Sequence, residues 1–372
     1  MKCSISENHN LSAFLTLVRA GLWEKDVELR KYGATDFDEI MRLAEEQSVV
    51  GLVTAGLDHV TDVTIPQEWI LQFIGSTLQI EEQNKAMNAF LPKLTKKLQT
   101  GGVYSLLVKG QGVAQCYEKP LWRSSGDVDL LLDADNYERA KTVLFPIAGH
   151  VAEEEGFAKH QGLSINGFEV ELHGRMPFFL SRCVDDVIEE VLDDSLKKGG
   201  SRVWKLSDTD VYLPKPDNDV IIVFTHFLFH FFVEGVGLRQ ICDWCRLLWT
   251  YRESLNHGLL ESRIRKAGLV TEWQAFATLA VNYLGMPISA MPMLDGNDNE
   301  KFKKKAEKVL KRILKSGNMG HNNDLSYRSK YTGMKYKAVA MWRRLRDFAS
   351  MIPIFPVDAP KFFMGYLFGK VK

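Results

Sequence analysis

Long apolar runs are what this sequence most clearly lacks. Of its 372 residues 45% are hydrophobic, yet nowhere do they form the roughly 18–20 uninterrupted apolar positions that a membrane span needs. Met1 to Asn10 is polar and carries no signal-peptide core, so the cytoplasm is the expected compartment. Cysteine is scarce. The five thiols, at positions 3, 116, 183, 242 and 245, are an odd and scattered set that does not read as a disulfide framework. Cys242 and Cys245 form a CxxC inside the amphipathic pattern Leu238 to Leu248, with no second CxxC to complete a zinc site, and are expected to be small buried hydrophobes.

Net charge is absent too, with 47 Lys or Arg against 47 Asp or Glu, but the balance is not local. From Glu300 to Arg346, fifteen Lys or Arg face three acids (Glu300, Glu307, Asp324), a surplus of 12. That segregation points to an anionic partner near the C-terminus. The simpler reading is a helix with a solvated lysine face, because Phe302, Ala306, Val309 and Ile313 recur at helical spacing.

The length is enough for a large core in two or three domains. Residues 1–100 read as helices, ending at Gly101-Gly102, with Pro92 a candidate kink. Val103 to Val108 is apolar enough for a buried strand, and the chain turns there from α to α/β. Asn166-Gly167, between two apolar runs, predicts a hairpin whose turn requires φ > 0 at both positions. From Asp217 helical patterns return through Leu284, residues 288–300 are linker-like, and two basic helices precede an aromatic tail. The expected division is 1–100 helical, 101–214 α/β, 215–290 helical and 291–372 basic and helical.

The most informative motif is Gly126-Asp127-Val128-Asp129-Leu130. In a strand, alternate side chains share a face, so Asp127 and Asp129 point one way while Val128 and Leu130 enter the core. Two like charges side by side in an apolar run need a counter-ion, and carboxylates roughly 6–7 Å apart along a strand suit divalent Mg²⁺ or Mn²⁺. Past the Asn166-Gly167 turn, Glu169, Glu171 and His173 likewise share one face, opposite Phe168, Val170 and Leu172. His226, His230 and Glu234 fall on one helical stripe and are expected as hydrogen-bonded wall or core groups, with Asp243 a candidate partner.

Leu107-Val108-Lys109-Gly110, Arg123, Gly126-Asp127-Val128-Asp129-Leu130 and Glu171-Leu172-His173, in this order, resemble an uncharacterised bacterial nucleotidyltransferase family of the DNA polymerase β-like superfamily. The close match covers residues 104–175. The resemblance implies an α+β fold, a nucleotidyltransferase palm with a mixed β-sheet and helices, flanked by helical N- and C-terminal domains. It further implies transfer of a nucleotidyl group from an NTP, with ATP the expected donor, to an acceptor hydroxyl. Asp127, Asp129 and Glu171 take the catalytic and metal-binding roles, with Glu169 an open substitute for Glu171. Lys109, Gly110, Gln111, Arg123 and Gly126 become nucleotide contacts, Gly110 through close backbone approach and the amides of the following helix start, Arg123 through its planar fork. Gln111 departs from the Ser or Gly usual at its position. The acceptor, a small molecule, protein or tRNA, stays open, as do a role within a toxin–antitoxin or regulatory system and a non-catalytic nucleotide-binding scaffold.

Overall fold

Helical spacing of apolar residues organises the start of the chain, and helices form there in the computed structural model, which describes residues 8–155, 158–294, 299–323, 330 and 332–368. Cys3, Asp324, Arg328 and the middle of the expected 288–300 linker lie outside the described residues. Helix α1 (His9–Trp23) is capped by the Asn8 side chain and α2 (Phe37–Glu46) by that of Asp36, and α3 (Val50–Leu57) follows. Helix α4 (Gln67–Thr100) continues across Pro92.

The α/β part begins where Gly101-Gly102 ends α4. A five-stranded mixed sheet is built from β1 (Leu106–Val108), β2 (Val128–Leu131), β3 (His150–Val151), β4 (His160–Ile165) and β5 (Phe168–His173), in the order β1-β2-β5-β4-β3. Its centre is a parallel pair, β2 against β5, with antiparallel neighbours on both sides. Short α5 (Gly110–Ala114) joins the first two strands, and α6 (Ala134–Leu144) follows the second. On one face Val128, Leu130, Val170 and Leu172 pack with Met87, Leu91 and Leu94 of α4 and with Tyr137 and Leu144 of α6. A separate hairpin, β6 (Ser201–Leu206) and β7 (Thr209–Pro214), adds Val211 and Leu213 to that core.

A second set of helices follows, α7 (Arg182–Leu196), α8 (Pro216–Val233), α9 (Leu238–Tyr251), α10 (His257–Ala267) and α11 (Val270–Leu284), and the opposite face of the sheet turns its carboxylates toward α8 and α9. Helix α8 is apolar nearly all round and therefore central. Its Phe224 and Phe227 meet Trp244 of α9 and Phe276 of α11. Helices α12 (Glu300–Ser316), α13 (Gly333–Met351) and α14 (Asp358–Phe368) add Val309, Ile313, Phe348 and Phe362 to the same apolar cluster, which also holds Phe14 and Leu17 of α1. Helices from both ends of the chain thus meet in one core, and the Trp23 indole N–H donates to the Leu284 carbonyl at 2.6 Å. Cys242 and Cys245 are buried in α9 as free thiols. Among the described residues, no helix is long and apolar enough to cross a membrane.

The β4–β5 turn fixes the register on which everything at the sheet's open face depends. Asn166 and Gly167 have φ of 52° and 82°, the left-handed pair expected of the sequence. A Cβ on Gly167 would meet nothing within 4 Å, so its only cost is backbone strain. Gly167→Ala is therefore expected to lower stability by about 1–2 kcal/mol, and Asn166→Gly to change it by less than about 0.5 kcal/mol, both read from denaturant unfolding. Equal effects of the two changes would show that φ > 0 does not control the turn.

Candidate active site

Strand alternation and parallel pairing together build a carboxylate cluster. Asp127 lies one residue before β2, Asp129 lies within it, and both fall on the face away from Val128 and Leu130. Asp129 pairs directly across to Glu171 of β5. As a result, ligand oxygens of Asp127, Asp129 and Glu171 all lie within 4.8 Å of one another. Glu169, two residues earlier, pairs with Ser164 and lines the same cavity outside that trio.

Basic side chains surround the cluster. Lys109, at the end of β1, has φ 57° and ψ −142°, a strained backbone for a side chain that large. Its Nζ lies 2.7 Å from Asp129 Oδ1 and donates to His226 Nε2 at 3.0 Å. His173 Nε2 donates to Asp129 Oδ1 at 2.8 Å and lies 3.4 Å from Glu171, while His160 Nε2 sits 3.2 Å from Glu171. His160, Glu171 and His173 form a second trio with ligand atoms within 4.8 Å.

The electrostatics follow from these distances. Asp129 beside it, then burial, raises the Asp127 pKa above the usual carboxylate range. Burial alone would raise Asp129 as well, but Lys109 and then His173 outweigh it and lower the pKa. Glu171 is likewise lowered, because hydrogen bonds from His160 and His173 overcome its burial. His173 is raised: burial opposes its charge, and Asp129 and Glu171 more than restore it. His226 is lowered by burial and then by the Lys109 charge, so it accepts from Lys109 as a neutral imidazole.

These groups open on a cavity of about 990 Å³ between the sheet and helices α8 and α9. Lys109, Gly110, Ser124, Ser125 and Gly126 line it from the sheet side, and His226, His230 and Arg239 from the helical side. Gly110 has φ 40°, and a Cβ there would stand 3.4 Å from the Asp127 carbonyl, so glycine permits the close approach of the two loops. The loop before Asp127 is held by Asn84 of α4, whose amide donates to the carbonyls of Leu121 and Arg123 at 2.7 and 2.8 Å.

Several expectations need correction. The Gln111 side chain points away from the cavity and donates to Asn84 Oδ1 at 2.7 Å, because the short α5 turns that side chain into the core. Helix α5 spans five residues, too few peptide dipoles to favour phosphates strongly at its N-terminus. Arg123 reaches the cavity, but its fork is occupied: Nε and Nη2 each donate to Asp243 at 2.7 Å. Asp243 is consequently not the partner of the histidine stripe. His230 instead joins His226 at 3.2 Å and Glu234 at 3.0 Å.

The sequence reading missed Arg239 and His160. Arg239 Nη1 donates to the Ser124 carbonyl at 3.4 Å and lies 3.9 Å from Asp243, while its buried Nε has no partner among the described residues. Burial and then neighbouring Arg123 lower its pKa, against the opposing pull of Asp243. The i, i+4 spacing of Arg239 and Asp243 was the available signal. His160 could be found only once the β4–β5 register was known.

The model of an uncharacterised nucleotidyltransferase family matches residues 33–285, more than half of the chain, and the chain belongs to that family. A search of curated proteins and a search of solved structures each found no match.

The Arg123–Asp243 pair, with the Tyr117 hydroxyl donating to Asp243 at 2.8 Å, ties the DxD loop to α9. Asp243→Asn leaves a buried guanidinium without its counter-charge and is expected to cost about 3–5 kcal/mol in denaturant unfolding at neutral pH. Burial would raise the Asp243 pKa, but Arg123 outweighs it and the pKa is depressed. Its stabilisation is therefore complete above the unfolded carboxylate pKa of about 3.9 and is lost as pH falls through the lower folded value. The gap between wild type and variant should narrow only below about pH 4. A gap under about 1 kcal/mol at neutral pH would mean the pair is not what holds the loop.

Proposed function

We propose that this member of the nucleotidyltransferase family transfers the nucleotidyl group of an NTP, with ATP the first to test, to an acceptor hydroxyl, releasing pyrophosphate. The observation that carries this reading is the convergence of Asp127, Asp129 and Glu171 within 4.8 Å in the wall of a nucleotide-sized cavity. Three carboxylates are a hard oxygen donor set suited to Mg²⁺ or Mn²⁺. The Lys109 ammonium 2.7 Å from Asp129 stands where such a cation fits. Bound there, the ions would neutralise charge developing on the phosphates and on the attacking oxygen.

The protein's own groups have distinct parts in this scheme. Asp127, just before β2, Asp129 within it and Glu171 of β5 would hold the ions. His160 and His173 fix Glu171 and Asp129 by hydrogen bonds, as second-layer partners of metal ligands commonly do. Gly110 and Gly126 leave room for phosphate oxygens against the backbone, and Arg239 offers the triphosphate its guanidinium, whose buried Nε has no partner among the described residues. In this reading Arg123 positions the loop through Asp243. The acceptor oxygen forms a bond to the α-phosphorus as the bond to the β-phosphate bridge breaks, and the hydroxyl proton passes to a neighbouring base or to solvent.

We take residues 101–214 as the catalytic palm, with 1–100 and 215–290 as helical flanks and 291–372 as a basic helical extension. The cavity wall supplied by α8 and α9 encloses the site, and at about 990 Å³ it has room for a nucleotide and a compact second substrate. That favours a small acceptor over a macromolecular one.

Incubation with each α-labelled NTP, Mg²⁺ or Mn²⁺ and cell extract should label an acceptor. Asp127→Asn or Asp129→Asn should lower that labelling by at least roughly a hundredfold. Full labelling by both variants would remove the metal-centred reading.

The two glutamates can be separated kinetically. Because Glu171 is level with Asp129, Glu171→Gln should lower kcat by roughly a hundredfold, and Glu169→Gln by far less. The reverse pattern would place the third ligand two residues earlier on β5.

A further inference from the structure

Helices α13 and α14 bury one side and leave another apolar side in water. On α13, Met334, Met341, Trp342, Leu345 and Ile352 just beyond its end are exposed, Trp342 by 66%. With exposed Ala338 and Ala349 they recur at i, i+4, i+7, i+8, i+11, i+15 and i+18, a single stripe about 100° wide at 3.6 residues per turn. This stripe is distinct from the packed side, where Phe348 and Met351 enter the core. Helix α14 repeats the arrangement: Val357 before it, Met364 and Phe368 are exposed, Phe368 by 61%, while Phe362 is buried.

Charge narrows what can cover this face. Residues 333–368 carry six basic residues (Lys335, Lys337, Arg343, Arg344, Arg346, Lys361) against two acids (Asp347, Asp358). Lys335 and Arg346 lie along one margin of the α13 stripe and Lys337 along the other, all exposed. The basic α12 lies beside them, its Lys308 ammonium donating to the Pro353 carbonyl at 3.0 Å. A second copy of the chain would bring two cationic faces together, which like-charge repulsion opposes. A nucleic acid would satisfy the lysines and leave Trp342, Leu345 and Phe368 in water. An anionic phospholipid surface satisfies both, taking Trp, Leu, Met and Phe to the depth of the headgroup boundary and the basic margins to the phosphates.

We propose that α13 and α14 seat the protein in the plane of an anionic phospholipid surface. The helices lie on the surface, as no described helix can cross one. Arg344 of α13 and Tyr366 of α14 also line the wall of the carboxylate cavity, so the docked surface and the cavity sit on two sides of the same helix pair. The proposal does not depend on the reaction assigned to that cavity.

Co-sedimentation of the full chain with vesicles tests it, using phosphatidylcholine alone and phosphatidylcholine mixed with phosphatidylglycerol, at low and high salt. Binding is expected only to the mixed vesicles, and it should weaken with salt as the Debye length shortens. The exposed double variants Trp342→Ser/Leu345→Ser and Lys335→Gln/Lys337→Gln should each weaken it by roughly tenfold or more, with circular dichroism melts matching wild type. The proposal is overturned by absence of binding to the mixed vesicles or by unchanged binding of the Trp342/Leu345 variant. It is equally overturned if light scattering shows a dimer that this variant dissociates.

Discussion

Parallel pairing of β2 with β5 is the constraint on which the site depends. It sets Asp129 level with Glu171 and gathers three carboxylates into a space where like charges repel. The protein offsets that repulsion with Lys109, His160 and His173, each within 3.2 Å of a carboxylate oxygen. The resulting pattern is informative: Asp129, beside Lys109 and His173, and Glu171, hydrogen-bonded by His160 and His173, are pushed down, and Asp127, where the Asp129 charge and burial outweigh Lys109, is pushed up.

The helical half of the molecule gives the cluster its enclosure. Helix α8 is buried among aromatic rings of α9 and α11, which fixes the His226 stripe against Lys109. Helix α9 reaches across the cavity to hold the loop before Asp127 through the Arg123–Asp243 pair. Removing two charges from water is costly, and the short bidentate geometry, completed by Tyr117, is what makes that pair favourable. Sheet and helices are thereby locked at the edge of the carboxylate cavity.

Much of this is written locally in the sequence. Strand alternation is enough to put Asp127 and Asp129 on one face, and Asn166-Gly167 names both the turn and its backbone angles. Glu171 was singled out by resemblance, and the register brings it level with Asp129. What could not be read depends on distant pairing. Arg123 meets an aspartate 120 positions away, and nothing in its neighbourhood distinguishes a phosphate fork from a buried ion pair. The Gln111 amide looked available because the direction of a five-residue helix cannot be read from its composition. The outer stripe of α13 has the same period as a core face, and only the fold shows which stripe is left in water.

The central claim is that the DxD pair and Glu171 form a divalent-cation site for a nucleotide. Anomalous diffraction from crystals grown with Mn²⁺ and a non-hydrolysable NTP tests it most directly. The account predicts Mn²⁺ with oxygen ligands from Asp127 and Asp129 at about 2.0–2.4 Å, with the Lys109 ammonium displaced from Asp129. Mn²⁺ confined to the His160–Glu171–His173 group, or nucleotide bound with no metal between the two aspartates, would contradict it.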